Sequence, residues 1–279
     1  MSILRAILAK ASVAALIFAG SPAAWAADPV AFIADVRGDV ALEGNGRPAF
    51  LAELPPGTRL VLGPGATVAV MYVVSGEEFA LKGPGEFSVA GDGVKAMQGA
   101  APARRVSPLR PSAAILVQAS RAATASLRMR SAPPVKSEPA GPQYPVNGKI
   151  VALQPTLRWG GDARSSFLVV VSDADGKEVY RGNAKGLTLR LPVKLAAGKS
   201  YVWSCAEARG PIGESRFETH VSSVIQAAEK ARGAARGFSD RVALALLLQD
   251  LGATQDAREI WIQLANERPD LPEIAGLAR

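Results

Sequence analysis

One cysteine and one histidine are all that the 279 residues contain of the side chains that run thiol and imidazole chemistry. A lone Cys205 excludes an internal disulfide, so the core holds by apolar burial, for which 48% hydrophobic residues suffice. A lone His220 with no neighbouring His or Cys excludes the usual transition-metal sites, and no metal and no cofactor are expected. Also missing are H-E-x-x-H, G-x-S-x-G, S-x-x-K and G-x-x-x-x-G-K, which removes zinc proteases, α/β-hydrolases, penicillin-binding enzymes and P-loop nucleotide enzymes. Aromatics are 6% of the chain. None is interleaved with its most basic segment, so base stacking has no platform and nucleic acid is not the expected partner.

Apolar runs are short as well. The longest, near Ala11–Gly20, falls below the ~20 residues of a membrane span. Arg5 and Lys10 precede it, and Ala24-Trp25-Ala26 follows a helix-breaking Gly-Ser-Pro. This pattern predicts a signal peptide over 1–26, cleaved near Ala26, and a periplasmic location without a transmembrane segment. The mature chain would carry 30 basic and 25 acidic residues. Seven of the basic ones lie in 101–143 against a single acid, Glu138, so the remainder is nearly neutral.

Punctuation divides the rest. Over 28–100, turn signals at Asn45-Gly46, Pro56-Gly57, Pro64-Gly65, Ser75-Gly76, Pro84-Gly85 and Asp92-Gly93 bound short segments of a small all-β domain. Val68, Val70, Tyr72 and Val74 share one face of a strand, repeated by Phe79 and Leu81, then by Phe87 and Val89. Gly63-Pro64-Gly65 reads as a hairpin turn, not a phosphate loop. Glu77, Glu78 and Glu86 read as strand-edge charges.

Residues 101–143 are rich in Pro, Ala, Ser and basic side chains and read as a semi-rigid linker, with room for a short helix and strand between its two Pro-rich ends. Its arginines Arg104, Arg105, Arg110, Arg121, Arg128 and Arg130 are either solvated or contacts for an anionic partner, a polymer or lipid head group. Residues 144–221 predict a β-sandwich with Trp159 and Trp203 inside and a hairpin at Asp173–Lys177 whose Asp-Gly pair is not a calcium loop. From 222 to 279 the period becomes helical. Asp240 is the expected N-cap of one helix, Gly252 its stop, and Thr254 or Gln255 the start of the next. Ala257, Ile260, Trp261 and Leu264 form one apolar stripe; Leu248, Trp261 and Leu264 form a candidate helical partner surface.

Alternation also decides whether Cys205 and His220 form a catalytic pair. Tyr201, Trp203 and Cys205 share a face, and the two aromatics make it the inner one. Phe217 and Thr219 point one way; Arg216, Glu218 and His220 point the other. Cys205 is therefore expected in the core and His220 in solvent. A thiol buried among apolar groups carries little thiolate, so no catalytic residue is assigned.

Three segments resemble known modules. "VRGDV", "LPPGTRLVLGPGATVAVMY" and "FALKGPGEFSV" within 36–90 resemble the FecR-type periplasmic domain, with Gly63-Pro64-Gly65 in place of the usual Thr-Gly. "YPVNGKIVALQPTLRW", "DGKEVYRG" and "AAGKSYVWSCAEARGPIGESRFET" are similar to the fibronectin-III-like or immunoglobulin-like domains of bacterial envelope proteins. Segment 240–270 looks like one tetratricopeptide-type hairpin on Ala257, Trp261, Leu264 and Pro269. The resemblance implies a mainly β chain with a small α C-terminus: FecR-like domain, immunoglobulin-like sandwich and helical hairpin. It implies a non-enzymatic envelope protein that binds or scaffolds, engaging a protein or an anionic polymer or lipid. The alternatives are a signalling component of a FecR-type regulatory system and a cell-wall enzyme using Cys205.

Overall fold

A computed structural model describes residues 29–43, 46–128 and 140–278; the expected signal peptide and Arg130 lie outside them. Within these bounds the fold is mainly β with a small helical C-terminus. The first module has nine strands: β1 (Ala31–Arg37), β2 (Val40–Leu42), β3 (Glu53–Leu54), β4 (Arg59–Leu62), β5 (Thr67–Tyr72), β6 (Glu77–Lys82), β7 (Gly85–Val89), β8 (Val94–Gln98) and β9 (Ala103–Val106). They form a five-stranded sheet, β3-β1-β5-β6-β9, and a four-stranded one, β2-β4-β7-β8. The expected alternation fills the space between them with Val68, Val70, Tyr72, Leu81, Phe87 and Val89. Val74 is the exception at 92% exposed, because the strand ends at Tyr72 and the chain has already turned.

The turn at Gly63-Pro64-Gly65 is not a hairpin. It carries the chain from β4 in one sheet to β5 in the other, and Gly83-Pro84 carries it back from β6 to β7. The two crossings touch: a Cβ on Gly83 would lie 2.0 Å from the Gly63 carbonyl oxygen, so only glycine fits.

The linker expected over 101–143 is instead part of the fold across its first half. Residues 103–106 are β9, antiparallel to β6, and α1 (Ala113–Arg128) follows. Leu116, Ala119, Ser120 and Ala123 recur at helical spacing and form the buried face of α1. Composition misled because Pro102, Pro108 and Pro111 flank these elements, the arginines of β9 are neutralised by its neighbour strand, and the buried face of α1 is built largely from small residues. Glu77 and Glu78 lie on β6, which is covered by β9 and is not an edge strand.

The second module comprises β10 (Gly141–Tyr144), β11 (Gly148–Ile150), β12 (Thr156–Gly160), β13 (Ser166–Asp173), β14 (Glu178–Lys185), β15 (Thr188–Arg190), β16 (Ser200–Glu207) and β17 (Gly210–Thr219). Sheets β10-β12-β15 and β11-β17-β16-β13-β14 enclose Trp159, Phe167, Trp203, Cys205 and Phe217. Trp159 meets Phe167 edge-on at 5.4 Å and lies 6.2 Å from Trp203, whose indole N–H donates to the Pro145 carbonyl at 2.8 Å. The expected hairpin joins β13 to β14. Asp173 accepts the amides of Asp175 and Lys177, so its carboxylate closes the turn.

Helices α2 (Ser222–Ala234), α3 (Phe238–Asp250), α4 (Thr254–Glu267) and α5 (Pro272–Leu277) then return to the first module. Asp240 sits one turn inside α3 rather than at its cap; its carboxylate accepts the amides of Arg236 and Gly237 at 3.0 and 3.2 Å. Phe50, from the loop before β3, packs edge-on against Phe238 and Trp261. Leu248, Trp261 and Leu264 are fully buried here, so the stripe expected to await a partner is covered by the protein's own N-terminal module and neighbouring helices. Arg268 secures the seam. It pairs with Asp35 and Asp270, donates to the Val36 carbonyl at 2.7 Å and lies over the Phe238 ring. The first sandwich, α1 and the C-terminal helices thus share one hydrophobic core, while the second sandwich keeps its own. No helix among the described residues is long and apolar enough to cross a membrane.

Candidate functional site

Cys205 is fully buried, and desolvation pushes its thiol up to about 11. It faces Gly213 across the β16–β17 ladder, and His220 lies seven residues further along, a separation on the order of 20 Å at strand rise. The two do not meet. His220 nevertheless departs from expectation: it is buried, at 9% exposed, not solvated. Strand β17 ends at Thr219, so alternation no longer governs the next residue. The backbone of His220 is pinned by Ile150 and Gly198, and the imidazole faces the turn between α3 and α4 beside Gly252. Its Nε2 has no hydrogen-bond partner among the described residues. Among those residues no cluster of three His, Cys, Asp or Glu side chains could hold a metal ion.

Of the arginines expected to await an anion, Arg104 and Arg105 are engaged within the fold. Arg105 grips Glu78 with two bonds of 3.0 and 2.7 Å, and also reaches Asp240 at 2.8 Å and Ser239 at 3.0 Å. It therefore rivets β9 and β6 to α3. Arg104 pairs with Glu77 diagonally across the β6–β9 ladder, whose register sets Arg104 opposite Phe79. Arg110 lies over Gly76, where a Cβ would fall 2.8 Å from its Nε. Arg121 is exposed on α1, and Arg128 ends that helix.

A different set of arginines converges. The outer face of the three-stranded sheet β10-β12-β15 presents Thr156 and Arg158, alternating with the inward Leu157 and Trp159. Register places Tyr144 and Thr188 beside Arg158, and Arg190 beside Thr156. Arg158 and Arg190 are therefore diagonal neighbours, about 7–8 Å apart at the backbone. Facing them is a second stripe of α4, Asp256, Glu259, Ile260 and Gln263, offset from the stripe that enters the core. Arg232 of α2 and Arg241 of α3 complete the wall of a cleft of about 560 Å³.

Ion pairs hold the cleft's shape. Arg158 and Glu259 form a two-bond fork at 2.6 and 2.8 Å. Asp256 accepts from Arg232 at 2.7 Å and from the Val151 amide at 2.9 Å, while Gln255 accepts the Val146 amide at 2.6 Å. Helix α4 is thereby clamped to the segment carrying β10 and β11. Burial pushes the Asp256 carboxyl above its ordinary value, against the pull of Arg232 and the Val151 amide. Burial, aided by Asp256 and Glu259, holds the Tyr144 phenol well above its ordinary value, so it stays an O–H donor.

Sequence reasoning missed this site. Its signals were Arg158 alternating outward in "PTLRW" and the Asp256–Glu259–Gln263 spacing on α4; what no pattern gave was that these two faces oppose each other.

No protein-family model matches the chain, and no curated protein matches it. Among solved structures, the crystal structure of CopC from Methylosinus trichosporium OB3b is similar to 28% of this chain and 86% of that one, at 30% identity and a TM-score of 0.21. A likeness at that TM-score carries no weight for fold, ligand or site.

Proposed function

We propose that this chain is a non-enzymatic binding or scaffolding protein of the cell envelope, exported to the periplasm, that engages an envelope component bearing anionic groups. In this reading the first sandwich is a FecR-type module, the second a fibronectin-III-like or immunoglobulin-like one, and α3 with α4 a tetratricopeptide-like hairpin. One observation carries it: an arginine-lined cleft between the second sandwich and the C-terminal helices that share the first module's core. Junctions between modules are where binding sites concentrate, and a braced junction presents its donors without an ordering cost on binding. The one thiol supports the same reading, since it is sealed in a core with a raised affinity for its proton.

Pull-down from an envelope extract with the full chain tests this. Salt-sensitive capture of a defined partner, equal for wild type and Cys205→Ala, is the expected result. A hydrolytic or acyl-transfer activity on wall material that disappears in Cys205→Ala would overturn it.

A further inference from the structure

The walls of the cleft carry four guanidiniums, from Arg158, Arg190, Arg232 and Arg241, against the two carboxylates of Asp256 and Glu259. Glu267, outside the lining, pairs with Arg241 at 2.6 Å and lowers the surplus to one positive charge. That surplus resides on Arg190, which is exposed and makes no ion pair or hydrogen bond with any described residue. Arg158 and Arg232 have been oriented by their carboxylates, yet each keeps N–H donors that the described residues do not take up.

Tyr144 adds an independent sign. Its ring is covered, at 7% exposed overall, while its hydroxyl is not among the sealed polar atoms of the fold and opens onto the cleft. A phenol hydroxyl on a cleft wall can donate to a water or to a ligand oxygen. The cleft's volume lies in the range of small-ligand sites. Planar guanidiniums with paired N–H donors match the oxygen geometry of carboxylate and phosphate.

From this arrangement we infer that the cleft is an oxyanion site. It takes a phosphate or carboxylate group of a small ligand, or of the end of a larger one, with Arg190 as the receiving charge. The spare donors of Arg158 and Arg232 and the Tyr144 hydroxyl fix its orientation. This inference rests on the binding reading above and names the chemistry of its ligand.

Calorimetric titration of the full chain at low salt with pyrophosphate and, separately, with citrate tests it. Saturable 1:1 binding of either is expected, and the preferred anion tells phosphate from carboxylate. Loss of one charge-assisted contact in Arg190→Ala should weaken binding about tenfold or more, and Tyr144→Phe should weaken it several-fold. Neither change removes a bond of the fold, so the melting temperature should hold, and Lys149→Ala, on a separate surface hollow, should bind as wild type does. No binding of either anion, or binding undiminished in both Arg190→Ala and Tyr144→Phe, would overturn the assignment. Partner capture without anion binding would sink the oxyanion site and leave the binding role standing; anion binding without any partner capture would do the reverse.

Discussion

The two sandwiches solve the same packing problem differently. The second closes on itself: Trp159, Trp203, Phe167 and Phe217 meet between its sheets, and it meets the helices through polar contacts such as Arg158 with Glu259. The first leaves its edge open at Phe50, and the ring that covers Phe50 is Trp261, more than two hundred residues later in the chain. Its seam is polar as well as apolar, with Arg105 reaching Asp240 and Arg268 reaching Asp35. The chain therefore holds two folding units that do not follow its linear order. One is a sandwich completed by α1 and by the helices α2–α5 at the far end of the chain. The other is a self-contained sandwich inserted within it.

Breaking the shared core should give the largest effect. Trp261→Ala removes a fully buried ring that packs on Phe50. Truncation of a core aromatic costs about 3–5 kcal/mol. Two calorimetric transitions are expected for the wild type, and only the one belonging to the first module and helices should move. In the mirror experiment, Trp203→Ala should move only the other. A single transition displaced equally by both substitutions would show the two cores to be one cooperative unit.

Much of each sandwich was readable in advance because alternation is a local property. It assigned Val68, Val70, Tyr72, Trp203 and Cys205 to the interior, where they are. It failed where a strand stops, as at Val74 and His220, since the rule holds only while the pleat continues. Composition failed at residues 103–128 for a related reason. A helix whose buried face is built largely from small residues has the same average polarity as a spacer, and a strand such as "ARRV" is stabilised by Glu77 and Glu78 on its neighbour, not by its own side chains. The burial of Leu248, Trp261 and Leu264 was evident; what buries them was not. Covering by another protein and covering by the chain's own N-terminus leave the same periodic trace. The cleft was illegible for that same reason, because its two walls are joined only by tertiary packing.

Acid should separate the seams of these two units, with a moderate effect. In the shared core, burial alone would raise the Asp240 carboxyl, but the amides of Arg236 and Gly237 and the Arg105 guanidinium outweigh it and hold it low. Arg268 lowers Asp270 in the same way. A carboxyl depressed in the folded state contributes stability above its unfolded value near 3.8, and that contribution is lost as pH falls through the folded value. At the junction with the second sandwich, Asp256 is raised, so the folded state binds that proton more tightly and gains stability as pH falls through the folded value. Melts followed from pH 6 toward pH 3, about the range in which carboxyls titrate, should therefore show a shallower acid loss for Asp240→Asn and a steeper one for Asp256→Asn than for wild type. Shifts of the same sign in both variants would refute the distinction.

The smallest effect should come from the fork between Arg158 and Glu259, which joins the second sandwich to α4. Both side chains are about three-quarters shielded, at 29% and 26% exposed, so the pair lies between a surface bridge and a buried one. A coupling of about 1 kcal/mol is expected from a double-mutant cycle with Arg158→Ala and Glu259→Ala. The interest lies in where the loss appears. If the second sandwich is self-contained, its own transition should stay in place while amide exchange speeds up at Val146 and Val151, whose N–H groups donate to Gln255 and Asp256 of α4. Exchange there opens the junction without opening either core. Protection at those two amides that survives the loss of the fork would mean that Gln255 and Asp256 alone hold the sandwich to the helices. Faster exchange spreading to Trp203 or Cys205 would mean that the second core leans on the helices after all, which would erase the contrast between the two sandwiches.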